Sequence, residues 1–151
     1  MPSTLTDFWR LIIEKNIELV IILQQSDSDD DTCCDIIPRG TTVIPVPYLK
    51  VETKTSSNRN EHFTTDKMLL TDTSQNLTRS KIITALTCDN WNADEVARPP
   101  APKTLIELWR ASERIKRDGP TLVLCYDGIT GCGLYLTLSL ILERMGVEQE
   151  C

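Results

Sequence analysis

Histidine is almost absent from this chain and basic charge is in short supply. The 151 residues hold one histidine, His62, and 16 Lys and Arg against 22 Asp and Glu, for a net charge of -6. A field of that sign opposes nonspecific attraction to nucleic acid and to anionic lipid, so neither is expected as a partner. Six cysteines (Cys33, Cys34, Cys88, Cys125, Cys132 and Cys151) are scattered without paired metal spacing, and a single histidine adds too little to complete a zinc site. Long apolar runs are missing too: nothing approaches the roughly 18 residues of a membrane span, and the opening MPSTLTDFWR lacks the basic start and apolar stretch of a secretory signal. The expectation is a cytoplasmic chain with no membrane insertion and mostly free thiols, in which the sequon Asn76-Leu77-Thr78 is a chance match. Calcium is not supported either. Asp27, Asp29 and Asp31 have the spacing that opens a calcium loop, but the glycine it requires is Thr32 and the closing glutamate is Pro38. The acidic loop 26–31 therefore reads as a solvated charge run. No internal repeat and no cofactor is implied.

What is present is enough for one domain over residues 1–151, with 40% apolar and 25% charged residues. Leu5, Phe8, Trp9, Ile12 and Ile13 recur at the spacing of one helical face, with Thr4 as the expected N-cap and Asp7 in the first turn. IELVIIL then reads as a buried strand. Residues 38–81 carry Pro, Ser, Thr and Asn around short extended pieces such as TVIPVPYLKVET, where prolines favour edge strands; the reading is a polar, weakly ordered region of hairpins or loop. KIITALTC is the next strand, followed by Trp91 and a loop ending in ARPPAPK, whose prolines stop regular structure. Leu105, Leu108, Trp109, Ser112 and Ile115 mark a helical face that closes at Asp118-Gly119-Pro120. TLVLCY is a strand, and Leu134 to Met145 is a helix apolar nearly all round, expected to be buried. Helices alternating with apolar strands predict an α/β fold.

The last strand runs into a cysteine, a loop with three glycines and a helix N-terminus. Successive backbone N–H groups in such a loop point inward and the helix dipole adds about half a positive charge, which makes a cradle for an anion. A thiolate at its mouth is stabilised by the same groups, so Cys125 is a candidate nucleophile facing a phosphate-sized hole.

Here the chain resembles the protein tyrosine phosphatases, whose signature is His-Cys-x-x-Gly-x-x-Arg-Ser/Thr-Gly. Cys125, Gly128 and Gly133 occupy matching positions in the loop 124–133. TLTDFWRLIIEKN followed by IELVIIL is similar to the family's first helix and inner strand, CCDIIP to its Cys-x-x-Tyr-Trp-Pro, LTCDNWNADEVARPPAP to its Trp-Pro-Asp loop, and LILERM to the helix after the signature. The resemblance covers nearly the whole chain. It implies a mixed twisted sheet flanked by helices, truncated at both ends, with Cys125, Tyr126, Asp127, Gly128, Ile129, Thr130 and Gly131 as the phosphate cradle and Trp91 as a loop anchor.

The departures point the other way. Gly131 stands where the family has the arginine that grips phosphate, Cys132 where it has a hydroxyl residue, and Leu124 where it has a histidine. Asp127 puts a carboxylate beside the cradle, where it repels a phosphate dianion unless it turns away. Aligning Trp91 puts Asn92 at the family's proline and Ala93 at the general-acid aspartate, leaving Asp94 as a displaced acid one residue late. The expected function is a catalytically inactive phosphatase-like protein that binds a protein or phosphotyrosine peptide. Two alternatives stand beside it: a weakly active phosphatase using Cys125 as nucleophile and Asp94 as acid, and a thiol redox role for Cys125 and Cys132.

Overall fold

A computed structural model describes residues 2–23, 36–38, 40–54, 57–88, 90–91 and 99–149. The acidic loop 26–31 and the segment with Ala93 and Asp94 lie outside these. The elements in chain order are α1 (Pro2–Glu14), β1 (Leu19–Ile22), β2 (Thr42–Val46), β3 (Leu49–Thr53), β4 (Asn58–Arg59), β5 (Thr64–Asp72), β6 (Arg79–Thr87), α2 (Pro102–Ile115), β7 (Thr121–Leu124) and α3 (Thr130–Gln149). The strands form one mixed sheet in the order β2-β3-β5-β6-β1-β7, with β4 paired to β5.

Strand β1 organises the molecule. It runs parallel to both β6 and β7, and its unbroken apolar sequence is explained by burial on both faces. Because side chains alternate across a strand, Val20 joins the core layer built with Trp9 and Ile12 of α1, while Leu19 and Ile21 join the layer with Leu105 and Leu108 of α2 and Tyr135 of α3. The sheet is thus flanked by helices as expected.

Helix α1 begins at Pro2, ahead of the expected cap at Thr4. Proline suits the first turn, where its missing N–H has no partner to lose. The helix ends at Glu14, and just beyond it Asn16 has a left-handed φ of 54°, a conformation asparagine tolerates better than most residues. Asn16 also explains a glycine: a Cβ on Gly119 would lie 2.5 Å from the Asn16 carbonyl oxygen, so the turn before β7 closes only with glycine there. Pro102 likewise opens α2, where a loop was expected to continue.

In the stretch 38–81, read as weakly ordered hairpins or loop, the hairpins are regular. The stretch holds the β2–β3 hairpin and, in β5, a nine-residue strand paired along its length with β6. Strand β5 alternates strictly, with Thr64, Asp66, Met68 and Leu70 buried. Two of those inward positions are polar, which hides the period in the sequence; Asp66 is fully buried and accepts a hydrogen bond from Ser57. Strand β2, with Pro45, does lie at the sheet edge.

Helix α3 is the larger correction. Expected to be buried, it exposes Leu136, Leu140, Ile141 and Met145, with Leu140 67% accessible. Apolar residues on every side select no single face, and only a narrow stripe, Cys132, Tyr135 and Leu138, meets the core.

Candidate functional site

Strand β7 delivers Cys125 to the edge of the α2 core layer, and residues 126–129 turn the chain into α3. Gly128 has a φ of 68°, a left-handed conformation that favours glycine. Tyr126 and Ile129 point out of the turn, 57% and 76% exposed.

The centre of the turn is Asp127. Its Oδ1 accepts the N–H groups of Ile129 and Thr130, each at 2.9 Å, and the thiol of Cys125 at 3.3 Å. The Thr130 hydroxyl donates to Oδ2. Through these bonds Asp127, two residues ahead of the N-cap position Ile129, satisfies amides at the entry to α3. The Thr130 hydroxyl first, and then the two backbone amides, hold its carboxyl well below the usual carboxylate range. The carboxylate thus turns back on its own loop and occupies the Ile129 and Thr130 amides.

Behind it, Cys125 is half-buried and its Sγ accepts the Cys132 N–H at 3.3 Å. Cys132 sits in the first turn of α3, buried, with its thiol donating to the Val123 carbonyl at 3.5 Å. Burial, followed by its hydrogen bond with Cys125, pushes the Cys132 thiol up to about 12.

Gly131 is buried against the cysteine. A Cβ at this position would stand 2.9 Å from Cys125 Cβ and 3.5 Å from Cη2 of Trp91. The space a larger residue needs is therefore closed, and Trp91, buried in the α2 layer, helps to close it. Leu124 offers no polar side chain to the loop; its carbonyl accepts the Leu23 N–H at 2.8 Å.

The structure thus brings Cys125, Asp127, Thr130, Gly131 and Trp91 together, while Asp94 lies outside the described residues. Among the described residues no group of three His, Cys, Asp or Glu is placed to hold a metal. His62 is remote in role: its Nδ1 meets Thr104 Oγ1 at 3.1 Å, in a shallow polar cleft of about 200 Å³ lined by Arg59, Asn60 and Asn90. Sequence reasoning missed the bonds that Asp127 accepts from the Ile129 and Thr130 amides. It also missed the buried hydrogen bond, 2.9 Å, between Ser112 of α2 and Tyr135 of α3 that fixes the helix carrying the loop.

A cysteine at the end of β7, the edge strand that runs parallel to β1, is followed by a tight glycine turn and a helix, and the family model for protein-tyrosine phosphatase matches residues 1–151. The chain belongs to the protein-tyrosine phosphatase family. Its sequence is 25% identical over 156 residues to receptor-type tyrosine-protein phosphatase F of Danio rerio, covering 98% of this chain and 8% of that protein. It is 27% identical over 149 residues to receptor-type tyrosine-protein phosphatase alpha of Homo sapiens, covering 96% of this chain and 18% of that protein. With receptor-type tyrosine-protein phosphatase S of Gallus gallus the identity is 24% over 153 residues, 98% of this chain and 10% of that protein. The chain thus spans less than a fifth of the length of these curated relatives. Among the described residues no helix is long and apolar enough to cross a membrane.

Proposed function

We propose that this tyrosine-phosphatase-like domain is catalytically inactive and works by binding a protein partner. The observation that carries the reading is the engagement of Asp127: the Ile129 and Thr130 amides and the Thr130 hydroxyl, the donors a phosphate would need, are bonded to the chain's own carboxylate. A phosphate dianion entering the loop would meet that charge and would have to displace it from its charge-assisted hydrogen bonds. Gly131 offers no guanidinium in return. Ala93 at the expected general-acid position removes a contribution of about 10² to 10⁴ in rate, although such losses do not simply add to that of the arginine. A cytoplasmic setting suits the free thiols of Cys88, Cys125 and Cys132.

The test is turnover of a phosphotyrosine peptide by the purified chain, beside Cys125→Ser and Gly131→Arg. No turnover is expected from the parent, and none from Gly131→Arg, because the Cβ alone collides with Cys125. Turnover in the parent that Cys125→Ser abolishes would overturn the inactive reading in favour of a slow phosphatase using Cys125, with Asp94 as its displaced acid.

A further inference from the structure

Helix α3 shows water a second apolar face that the domain's own core does not use. From Thr130 to Leu142 the helix carries no charged residue, in a chain of which 25% is charged. Its core stripe is Cys132, Tyr135 and Leu138. On another side, Ile129 at the N-cap position, Gly133, Leu136 and Leu140 follow one another at steps of four, three and four residues, and all four are exposed. That alternation is the one that lines a seam of side chains against a second helix. With Tyr126, Ile141 and Met145 beside it, the seam leaves roughly 700 Å² of accessible surface on apolar side chains, more than the largest apolar patch of a typical monomer and close to the share of about 800 Å² that each partner gives to a standard interface.

We propose that this face binds a second copy of the chain, the two α3 helices packing antiparallel about a two-fold axis at residues 136 and 137. The occupant is read from the seam's complementarity to itself. An antiparallel pair about that axis sets Gly133 of each copy opposite Leu140 of the other. Gly133 is a hole, since nothing lies within 4 Å of a Cβ built there, and Leu140 is the most exposed leucine of the helix at 67%. Knob therefore meets hole twice, with Leu136 packing beside the axis. A parallel pair would set glycine against glycine and leave that level unfilled. Charge agrees with the antiparallel register too. It brings Arg144 of each copy beside Ile129 of the other, within a long side chain's reach of the exposed Asp127, and it lays the two helix dipoles in opposite directions.

This self-association goes beyond the binding role of the loop and does not depend on it. It does have a consequence there, because the antiparallel register lays the Arg144 and Met145 turn of one copy over Tyr126 and Ile129 of the other. Each copy then covers its neighbour's loop. The exposed leucines of α3 also acquire a use that the fold of one chain does not give them: they are surface in the monomer and core in the pair.

The experiment is sedimentation velocity of the full chain with dithiothreitol present, from about 1 μM to about 100 μM, where a monomer should give way to a dimer. Leu140→Ala should weaken the dimer by about thirtyfold or more, as loss of a central anchor does. Gly133→Leu should weaken it as well, although it makes the surface more apolar, because it fills the hole that Leu140 enters. The double variant Gly133→Leu with Leu140→Ala exchanges knob and hole in the same register and should recover much of the lost affinity. Leu77→Ala, at a leucine 65% exposed on the turn between β5 and β6, should leave the dimer unchanged. Far-UV circular dichroism checks that each variant keeps the parent's fold; should Gly133→Leu lose it, Leu140→Ala decides alone, and a dimer that it leaves intact overturns the proposal. A parent that stays monomeric throughout overturns it too, and leaves the face to a different protein. So does a dimer that a folded Gly133→Leu tightens, or one that the double variant fails to restore, since either means an apolar contact without this register.

Discussion

The closed space at Gly131 makes a sharp prediction when it is compared with Gly133, two residues on in the same helical turn. A Cβ built on Gly131 meets Cys125 Cβ at 2.9 Å, whereas nothing lies within 4 Å of one built on Gly133. Carbon atoms sit comfortably at about 3.5–4.0 Å, so the added methyl at 131 is short by at least about 0.6 Å. The atom in the way is the root of a side chain, not its mobile end, and relief requires the backbone of β7 or α3 to move. Overpacking of this kind costs about 1–3 kcal/mol. Alanine in place of glycine inside a helix gains about 0.5–1 kcal/mol, less near the first turn, and that gain is common to both sites. Gly133→Ala should therefore match or exceed the parent, and Gly131→Ala should fall about 1–3 kcal/mol below Gly133→Ala. Urea unfolding followed by tryptophan fluorescence reads this directly, with a gap in thermal midpoint of about 2–4 °C per kcal/mol for a chain of this size. Equal stabilities for the two variants would refute the claim that the loop has closed over the position of the missing arginine. Faster alkylation of Cys125 in Gly131→Ala, as the methyl pushes the sulfur outward, is the companion result.

Tyr135→Phe should cost about 1–2 kcal/mol by urea unfolding: Ser112 Oγ already donates to the Trp109 carbonyl at 2.7 Å, so the phenol is its donor, and the variant leaves a buried oxygen without one. The same burial raises the tyrosine's ionisation, so the folded state holds that proton more tightly than the unfolded one. The parent should therefore lose stability as pH climbs past 10.0 while Tyr135→Phe loses less. At the acid end the sign is opposite. Asp127 is depressed from its ordinary 3.8, so its contribution is full above that value and disappears as pH falls through the folded value. Asp127→Ala should be less stable than the parent at neutral pH, and the two unfolding curves should converge as the solution is taken well below pH 3.8; a gap that stays constant with pH would mean that Asp127 acts through packing alone.

How much of this was legible in the sequence depended on whether burial was written in apolar residues. Strand β1 was, because Leu19, Val20 and Ile21 are apolar on both faces of a two-sided core. So was the inner face of α2, where Leu105, Leu108 and Ser112 are buried at helical spacing. Strand β5 was not, since Thr64 and Asp66 occupy inward positions and make a buried face look polar. Helix α3 misled in the other direction: Leu136, Leu140 and Ile141 look like core in the sequence but lie on the side away from the sheet. The signature loop was legible in its elements and in its lost arginine, which are matters of residue identity. The direction of the Asp127 carboxylate and the 2.9 Å approach of Cys125 to Gly131 are matters of backbone path, which spacing does not encode.

The exposure of α3 has a consequence for how the domain opens. A helix gains little from burying its backbone alone, and most of its stability comes from the face it packs. In α3 the buried contacts are concentrated near the start, with the Asp127 bonds, Cys132, Tyr135 and Leu138, and an exposed bridge from Lys116 to Glu143 at 3.0 Å adds a surface tie farther on. Amide exchange along the helix should follow that gradient, slow through Tyr135 and Leu138 and faster in the exposed turns from Leu140 on. The loop at Cys125 hangs from the well-held end. The sulfur and the amides around it would keep their geometry through many openings of the distal helix, and would lose it only when the Asp127 bonds let go.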